Sequence, residues 1–332
     1  TFTGSYTGVF ANANVGTGKT VTITSSYSGA DAGNYSITDQ STTTADISVK
    51  ALTATASTAN KAYDGGTTAT TTLTFTGLVG SETLGQTVGS TFDNKNVGSN
   101  KTVTVNSITL ADGSNGGLAA NYSISAGQTT AAHISPKSLT VSGNTASNKT
   151  YDSNSVATVS VTLSGFVGSE TLTFTNSSSF NDKNVGTGKT VTVDSITLAD
   201  GTNGGLASNY SVAPGQTTTA NITAKSLTVS GITASSKTYD GSVTATMDGT
   251  SAVYSGLVSG DTFTGSYTGA FSNANVGTGK TVTITSSYSG ADTGNYSVTD
   301  QSSTTADISA KALTATASTA NKAYDGATTA TT

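Results

Sequence analysis

Internal repetition constrains the fold of this chain more than any other feature. The sequence KALT at Lys50 returns as KSLT at Lys137 and Lys225 and again as KALT at Lys311, at intervals of 87, 88 and 86 residues. Self-similarity at a fixed period is typical of proteins built from one small unit used many times. The sequence therefore predicts a row of similar domains.

A longer period lies above this one. Residues 1–71 and 262–332 differ at seven positions, so similarity is greatest between units three places apart. The pattern predicts a stretch of a longer array that begins and ends within a repeat. The expected units are 1–49, the C-terminal part of a repeat; the whole repeats 50–136, 137–224 and 225–310; and 311–332, the N-terminal part of a repeat.

Each unit alternates apolar and hydroxyl-bearing residues, as in TLTFTG at 72–77, KTVTVNSITLA at 101–111, NYSISAG at 121–127 and SLTVSG at 138–143. Period-two alternation rich in β-branched residues predicts strands with one buried face, and frequent turn signals predict an all-β fold. We expect a tandem array of small β-sandwich, Ig-like domains. Because no Gly/Ser spacer separates the units, we expect the array to form an extended rod.

Composition excludes several classes of function. The chain has no Cys and no Arg, one His and a net charge of −5. Without Arg, nucleic acid is a poor partner, and without Cys there is no disulfide or thiol chemistry. His133 aligns with Asp46, Asn221 and Asp307, which indicates surface variation. We expect no enzymatic activity. The sequence contains no run of about 18 apolar residues, so we predict no membrane span in this segment.

The segment NVGTGKTVT at 14–22 resembles a phosphate-binding loop, and related segments recur at 96–104, 184–192 and 275–283. A phosphate-binding loop needs a Gly five positions before the Gly-Lys pair and a helix after it. Ala13 stands at that position and a β-type pattern follows. We interpret the segment as a tight turn with positive φ that leads into a strand. The predicted strand starts are Lys19, Lys101, Lys189 and Lys280.

A Lys-x-Tyr-Asp-Gly motif recurs in every repeat, and we predict a structural role for it, with the Tyr anchored in the core and Asp-Gly forming a turn. A sugar-binding spot is the alternative, with Tyr stacking on a ring and Asp bonding its hydroxyls. The motif residues are Tyr63, Asp64, Gly65, Tyr151, Asp152, Tyr239, Asp240, Gly241, Tyr324, Asp325 and Gly326; Ser153 replaces the Gly in one copy.

Two further kinds of site follow from the sequence. Asp112 and Asp200 lie in ADGSNGG and ADGTNGG loops rich in oxygen ligands, so Ca²⁺ is the one cofactor left open, although ordinary turns are favoured because the loops lack the acidic spacing of a strong calcium site. The recurring Asn-Tyr-Ser segment is an acceptor sequence for N-glycosylation. Its asparagines are Asn34, Asn121, Asn209 and Asn295.

With KAYDGG, GLVGSETL, FDNKNVGSNKTVTV and NYSI in place, the units resemble the YDG-type and related repeats of filamentous-haemagglutinin-like bacterial surface adhesins. The resemblance covers essentially the whole chain. It implies an extracellular or outer-surface location, in a Gram-negative bacterium, and a structural stalk or fibre used in adhesion or biofilm.

We therefore predict a non-enzymatic repeat region whose partners are the adjacent repeats, with identical chains in a fibre as a further partner and no receptor identified. Direct surface binding is the alternative. The segments TVTIT at 20–24 and TTTLTFT at 70–76 place Thr at alternate positions, which would present a regular array to polysaccharide, host glycan or ice.

Overall fold

The protein is described by a computed structural model that covers residues 1–332. It is all-β, as predicted. The only helical segments are four three-residue 3-10 turns, at Ala32–Asn34, Ala119–Asn121, Ala207–Asn209 and Thr293–Asn295. No helix has the length and apolar character needed to cross a membrane.

Repeated sheet units follow one another along the chain. In residues 1–49 the strands are β1 (Thr3–Phe10), β2 (Gly16–Ser28) and β3 (Thr42–Ile47). In 50–136 they are β4 (Lys50–Ala51), β5 (Thr53–Thr58), β6 (Lys61–Ala62), β7 (Thr68–Ala69), β8 (Thr71–Thr76), β9 (Leu84–Phe92), β10 (Gly98–Asp112), β11 (Tyr122–Ser123) and β12 (Thr129–Ser135).

The next two repeats are also built from strands. In 137–224 the strands are β13 (Lys137–Ala146), β14 (Lys149–Thr150), β15 (Val159–Ser164), β16 (Leu172–Phe180), β17 (Gly186–Asp200), β18 (Tyr210–Val212) and β19 (Thr217–Thr223). In 225–310 they are β20 (Lys225–Ser230), β21 (Thr233–Ala234), β22 (Lys237–Thr238), β23 (Thr244–Ala245), β24 (Met247–Asp248), β25 (Val253–Ser255), β26 (Thr264–Phe271), β27 (Gly277–Ser289), β28 (Tyr296–Thr299) and β29 (Ser303–Ser309). Residues 311–332 contain no strand.

The contacts divide the chain into two compact units, one formed by residues 1–140, 163–174 and 198–213, the other by 141–162, 175–197 and 214–332. In the first unit, β1, β2 and β3 form an antiparallel sheet, and the repeat 50–136 holds a five-stranded sheet in the order β6-β12-β10-β9-β7. The pairs β5–β8, which is antiparallel, and β4–β11, which is parallel, complete this repeat.

The second unit has the corresponding five-stranded sheet, in the order β22-β29-β27-β26-β23. Its strand β19 pairs antiparallel with β17 and parallel with β14. Here, as in the first unit, the short strand that precedes the Tyr-Asp pair adds parallel to the last strand of its repeat. The sequence pattern did not predict these parallel pairs.

Each core is thin and follows the alternation of the sequence. In β10, Val103 and Val105 are buried, whereas the intervening Thr104 is partly exposed. In the second unit, Phe271, Val282 and Ile308 lie in one cluster, and Val229, Ile232 and Ile284 in another. Thr and Ser cover the outer faces because period-two geometry sends alternate side chains to opposite sides of a sheet.

Two details of the predicted strands need correction. The strands expected to start at Lys19, Lys101, Lys189 and Lys280 begin three residues earlier, at Gly16, Gly98, Gly186 and Gly277. A register shift separates the two positions in each ladder, so the predicted turn is a bulge within a strand. The NYSISAG stretch forms only the two-residue β11, because the following backbone turns towards β12 at Gly127, with φ of 113°.

Candidate functional site: the joints between repeats

The Lys-x-Tyr-Asp-Gly segments form closed loops. Lys61 Nζ donates to Asp64 Oδ1 at 2.8 Å and to the carbonyl oxygens of Gly66 and Thr68 at 2.9 and 3.1 Å. Asp64 Oδ1 also accepts the Gly66 N–H at 2.9 Å. The loops at Lys149, Lys237 and Lys322 repeat this lysine–aspartate pair at 2.7–2.9 Å. The Asp is thus engaged within its own loop, and this geometry favours the structural interpretation over sugar binding.

The loop needs a left-handed residue after Asp. Gly65, Gly241 and Gly326 have φ of 80°, 76° and 75°, and Ser153 takes the same conformation with φ of 67°. Glycine adopts this region without steric cost, which explains the Asp-Gly pair.

The tyrosines of these loops differ in exposure. Tyr63 and Tyr151 are each 1% exposed, whereas Tyr239 is 42% and Tyr324 98% exposed. The two buried side chains contact the repeat that follows their own. We use the term joint for the contacts between residues of two successive repeats; the first joint links 1–49 to 50–136, the second 50–136 to 137–224, and the third 137–224 to 225–310.

In the second joint, Tyr63 and Tyr210 share one carboxylate. The Tyr63 hydroxyl donates to Glu170 Oε1 and the Tyr210 hydroxyl to Glu170 Oε2, both at 2.7 Å, and the two rings meet edge to face with centroids 5.5 Å apart. Lys95 Nζ also donates to Glu170 Oε1 at 2.9 Å. A buried charge is tolerated when it is paired and hydrogen-bonded, and Glu170, 7% exposed, is both.

The electrostatics of this cluster follow from burial and hydrogen bonding. Burial by itself raises the pKa of Glu170, but the hydrogen bonds from Tyr63, Tyr210 and Lys95 outweigh it and leave the pKa lowered. Burial and the neighbouring Glu170 carboxylate raise the pKa of Tyr210 to about 12. The cluster therefore holds a carboxylate, two neutral phenols and an ammonium group.

An asparagine closes each joint from the other side. In the second joint, Asn209 Oδ1 accepts the backbone N–H of Val97 at 2.9 Å, and Asn209 Nδ2 donates to Asn96 Oδ1 at 3.1 Å. Asn121 makes the equivalent bonds to Val15 and Asn14 in the first joint. Asn295 makes them to Val185 and Asn184 in the third. The Asn-Val-Gly turn, which resembles a phosphate loop, therefore accommodates the Asn of the next repeat.

The third joint changes the charges but keeps the plan. Asp261 replaces Glu170 and accepts hydrogen bonds from the hydroxyls of Tyr296 and Ser153. Lys183 Nζ donates to Asp292 Oδ1 at 3.2 Å and lies 3.8 Å from Asp261. The rings of Tyr151 and Tyr296 are 5.6 Å apart, edge to face, and the Tyr151 hydroxyl has no hydrogen-bond partner.

The bulge that begins each long strand has its own acceptor. The residues with positive φ are Gly18, Asn100, Gly188 and Gly279. Their N–H groups donate to Asp46 Oδ1, His133 Nδ1, Asn221 Oδ1 and Asp307 Oδ1, respectively, at 2.7–3.1 Å. His133 is therefore more than the surface variation that the alignment indicated, because it supplies the acceptor that Asp or Asn supplies elsewhere.

The remaining predicted sites fall into these structures. The side chains of Asn209 and Asn295 are buried in joints and that of Asn121 is partly buried, whereas Asn34 is exposed. Glycosylation at the three joint positions would require the joint to be open.

Asp112 and Asp200 each accept a backbone N–H at 2.8 Å, from Ala119 and Ala207, which closes their loops. No group of three or more His, Cys, Asp or Glu residues is arranged to hold a metal ion.

Sequence reasoning missed the carboxylates. Glu82 and Glu170 are the only two glutamates in the chain, and each accepts a hydrogen bond from the tyrosine of its own Asn-Tyr-Ser segment. Glutamate occurs only twice, at the same position of two successive repeats, and this recurrence was a signal for the site. The contact with the preceding repeat was not predictable, because it depends on how two repeats pack.

The family model of the YDG domain matches residues 1–45, 48–131, 135–220 and 223–306. The chain is a tandem array of YDG domains. The Tyr-Asp-Gly loop of the YDG domain is the segment that enters the following domain in the second joint. None of the curated proteins and none of the solved structures compared with this YDG array matches it.

Proposed function

We propose that this YDG array is a non-enzymatic structural region of a secreted or surface-anchored bacterial adhesin or extracellular filament. It serves as a stalk or fibre in adhesion or biofilm formation, outside a Gram-negative cell. The observation that supports the proposal most is the recurrence of one joint design in three successive places, with the Asn bond to the Asn-Val turn in each.

A stalk has to resist bending, and the joints supply the means. Between 50–136 and 137–224 the chain passes from β12 to β13 through a single residue, Pro136. The joint then adds a buried ring pair, a shared carboxylate and an asparagine bridge on the same two repeats. Short connections and buried contacts oppose hinge motion, whereas flexible spacers permit it. In this proposal the short connections and the buried joint contacts transmit force along the array. No receptor is assigned to it.

Small-angle scattering from the whole chain tests the proposal. We expect a rod whose length corresponds to about 35–45 Å for each repeat, the span of strands about 10–12 residues long. Asn209→Ala should add bending at the second joint, while Asn34→Ala, at an exposed equivalent position, should leave the scattering curve unchanged. A compact particle, or equal effects of the two variants, would contradict the stalk.

A second candidate function rests on the threonine faces. Thr20, Thr22 and Thr24 are exposed on β2, and Thr72, Thr74 and Thr76 are exposed on β8. These faces could contact polysaccharide, host glycan or ice directly. Replacing Thr72 and Thr74 together by Lys should abolish adsorption to such a surface in this alternative and should leave a purely structural array unaffected.

A further inference from the structure

The turn beside Glu170 contains an Asn-Gly pair, Asn203 and Gly204. The chain has one other such pair, Asn115 and Gly116, at the same place in the preceding repeat. Asn203 and Gly204 are exposed and have φ of 57° and 86°. The second value explains why Gly follows Asn, because other residues rarely adopt it. Asn followed by Gly is also the pair most prone to deamidation, since Gly has no side chain to hinder attack on the amide carbon of Asn.

The nucleophile of that reaction, the backbone nitrogen of Gly204, is free. The N–H of Gly201 donates to the carbonyl of Gly205 at 2.9 Å, and the N–H of Gly205 donates to the carbonyl of Thr202 at 3.1 Å. The N–H of Gly204 makes no hydrogen bond within the turn or outside it. Since the turn is exposed, hydroxide and water reach it. No hydrogen bond therefore has to break before Gly204 is deprotonated.

The side-chain amide of Asn203 supports the segment that carries Glu170. Asn203 Nδ2 donates to the carbonyl oxygen of Ser169 at 2.9 Å. On the other side of Glu170, the N–H of Thr171 donates to the Thr202 carbonyl at 3.2 Å, and the hydroxyls of these two threonines lie 2.7 Å apart. The turn therefore holds the two neighbours of Glu170, and one of the two attachments is the amide that deamidation removes.

The ammonium group of the second joint lies close to this turn. A Cβ built on Gly204 would lie 3.7 Å from Lys95 Nζ. Deamidation passes through a deprotonated Gly204 nitrogen and an oxyanion on the side-chain carbon of Asn203. A fixed positive charge nearby stabilises both. In the first joint Ala13 stands at the position of Lys95, so the turn at Asn115 lacks this cation.

We infer that Asn203 is a deamidation site and that its conversion loosens the second joint. Hydroxide takes the proton of the Gly204 N–H, and the nitrogen bonds to the side-chain carbon of Asn203. Nδ2 takes up a proton from water and leaves as ammonia. Water then opens the resulting succinimide to aspartate or isoaspartate. The new carboxylate has no hydrogen to donate to the Ser169 carbonyl, and its negative charge competes with Glu170 for Lys95.

Incubation of the whole chain at mildly alkaline pH, followed by peptide mass spectrometry, tests this inference, which does not depend on a role in adhesion. We expect Asn203 to gain one mass unit faster than Asn115. Lys95→Ala should slow the gain at Asn203 about fourfold at low salt, the effect of a unit charge about 5 Å away in water. Lys95→Arg should keep the original rate, and added salt should reduce the difference between Lys95→Ala and the unaltered chain.

Hydrogen exchange at the Val97 amide tests the effect on the joint. Asn203→Asp reproduces one product directly, and exchange at Val97 should accelerate in it. Asn115→Asp is the matched control in the other turn and should leave exchange at Val97 unchanged. The unaltered chain should show the same acceleration, in proportion to the fraction deamidated at Asn203 after incubation.

Three results would overturn the inference. An Asn203 that stays intact while Asn115 converts would show that the fold protects it. Equal rates at Asn203 in the unaltered chain and in Lys95→Ala would exclude Lys95 from the reaction. Exchange at Val97 that is the same before and after deamidation would separate the modification from the joint.

Discussion

Tyr63 and Glu170 lie 107 positions apart in the chain and are joined by a buried hydrogen bond of 2.7 Å. One belongs to the Tyr-Asp-Gly loop of a repeat and the other to the Gly-Ser-Glu-Thr segment of the next. The bond therefore connects the Tyr-Asp-Gly loop of one domain to the Gly-Ser-Glu-Thr segment of the next.

Removing the Tyr63 hydroxyl should weaken the second joint. Tyr63→Phe leaves the buried Glu170 with one hydrogen bond fewer, at a cost of about 1–3 kcal/mol, since bonds to charged groups are the stronger ones. Tyr151→Phe is the matched control, because Tyr151 is equally buried and its hydroxyl has no partner. Amide hydrogen exchange at Val97 should accelerate in the first variant. Exchange at the Val185 amide should be unchanged in Tyr151→Phe. Equal acceleration at Val97 in Tyr63→Phe and at Val185 in Tyr151→Phe would contradict this account.

Acid should open the second joint through Glu170. The pKa of Glu170 is lowered in the folded state by its hydrogen bonds with Tyr63, Tyr210 and Lys95, which together outweigh burial. The stabilisation is therefore present above the unfolded pKa, about 4.3, and is lost as the pH falls through the lower folded value. Glu170→Gln should be less stable near neutral pH and should lose this part of the acid dependence. The measurement is hydrogen exchange at the Val97 amide as a function of pH. If its acid dependence is the same in Glu170→Gln as in the chain with Glu170, Glu170 is not the titrating group.

Two glycines with the same backbone should differ in tolerance. Gly65 and Gly241 have φ of 80° and 76°, so Ala at either position costs about 1–2 kcal/mol in the left-handed region. A Cβ at Gly65 would also lie 2.7 Å from Val167 Cγ1, whereas at Gly241 nothing lies within 4 Å. Gly65→Ala should lower the melting temperature more than Gly241→Ala. Equal shifts would show that Val167 moves aside at no cost.

The acceptor role of His133 can be separated from any other role. His133→Ala removes the acceptor of the Asn100 N–H, so hydrogen exchange at that amide should accelerate. His133→Asn should restore the protection, because Asn221 performs the same task for Gly188 at 2.8 Å. If both variants exchange alike, the ring matters for a reason other than its Nδ1 atom.

The sequence predicted much of this architecture and little of the joints. Alternation identified β8 and β10 because one-sided burial imposes a period of two on a strand. The positive φ expected in the Asn-Val-Gly turn is present at Gly18, Gly188 and Gly279. The turn was nevertheless placed outside the strand, because a bulge and a turn need the same residue types and differ only in what the neighbouring strand does.

The tyrosine motif shows why the joints were not predictable. Tyr63 is an aromatic residue of the kind expected in a core, and it is buried. A large part of its environment nevertheless belongs to the next repeat. Local sequence records that a side chain needs cover and does not record which domain supplies it. The asparagines were noted as sugar acceptors because the Asn-Tyr-Ser pattern is short, whereas their bonds to Val15, Val97 and Val185 span more than a hundred residues.

The three joints carry different charges: Ala13 stands in the first where Lys95 stands in the second and Lys183 in the third. Each cation faces an acid on the next repeat, Glu170 in one case and Asp261 with Asp292 in the other. Unequal recombination of the gene could therefore lengthen or shorten such an array in steps of three repeats without separating any cation from its acid. A step that placed the acid of 137–224 or of 225–310 directly after a repeat with Ala at this position would leave that acid without its cation.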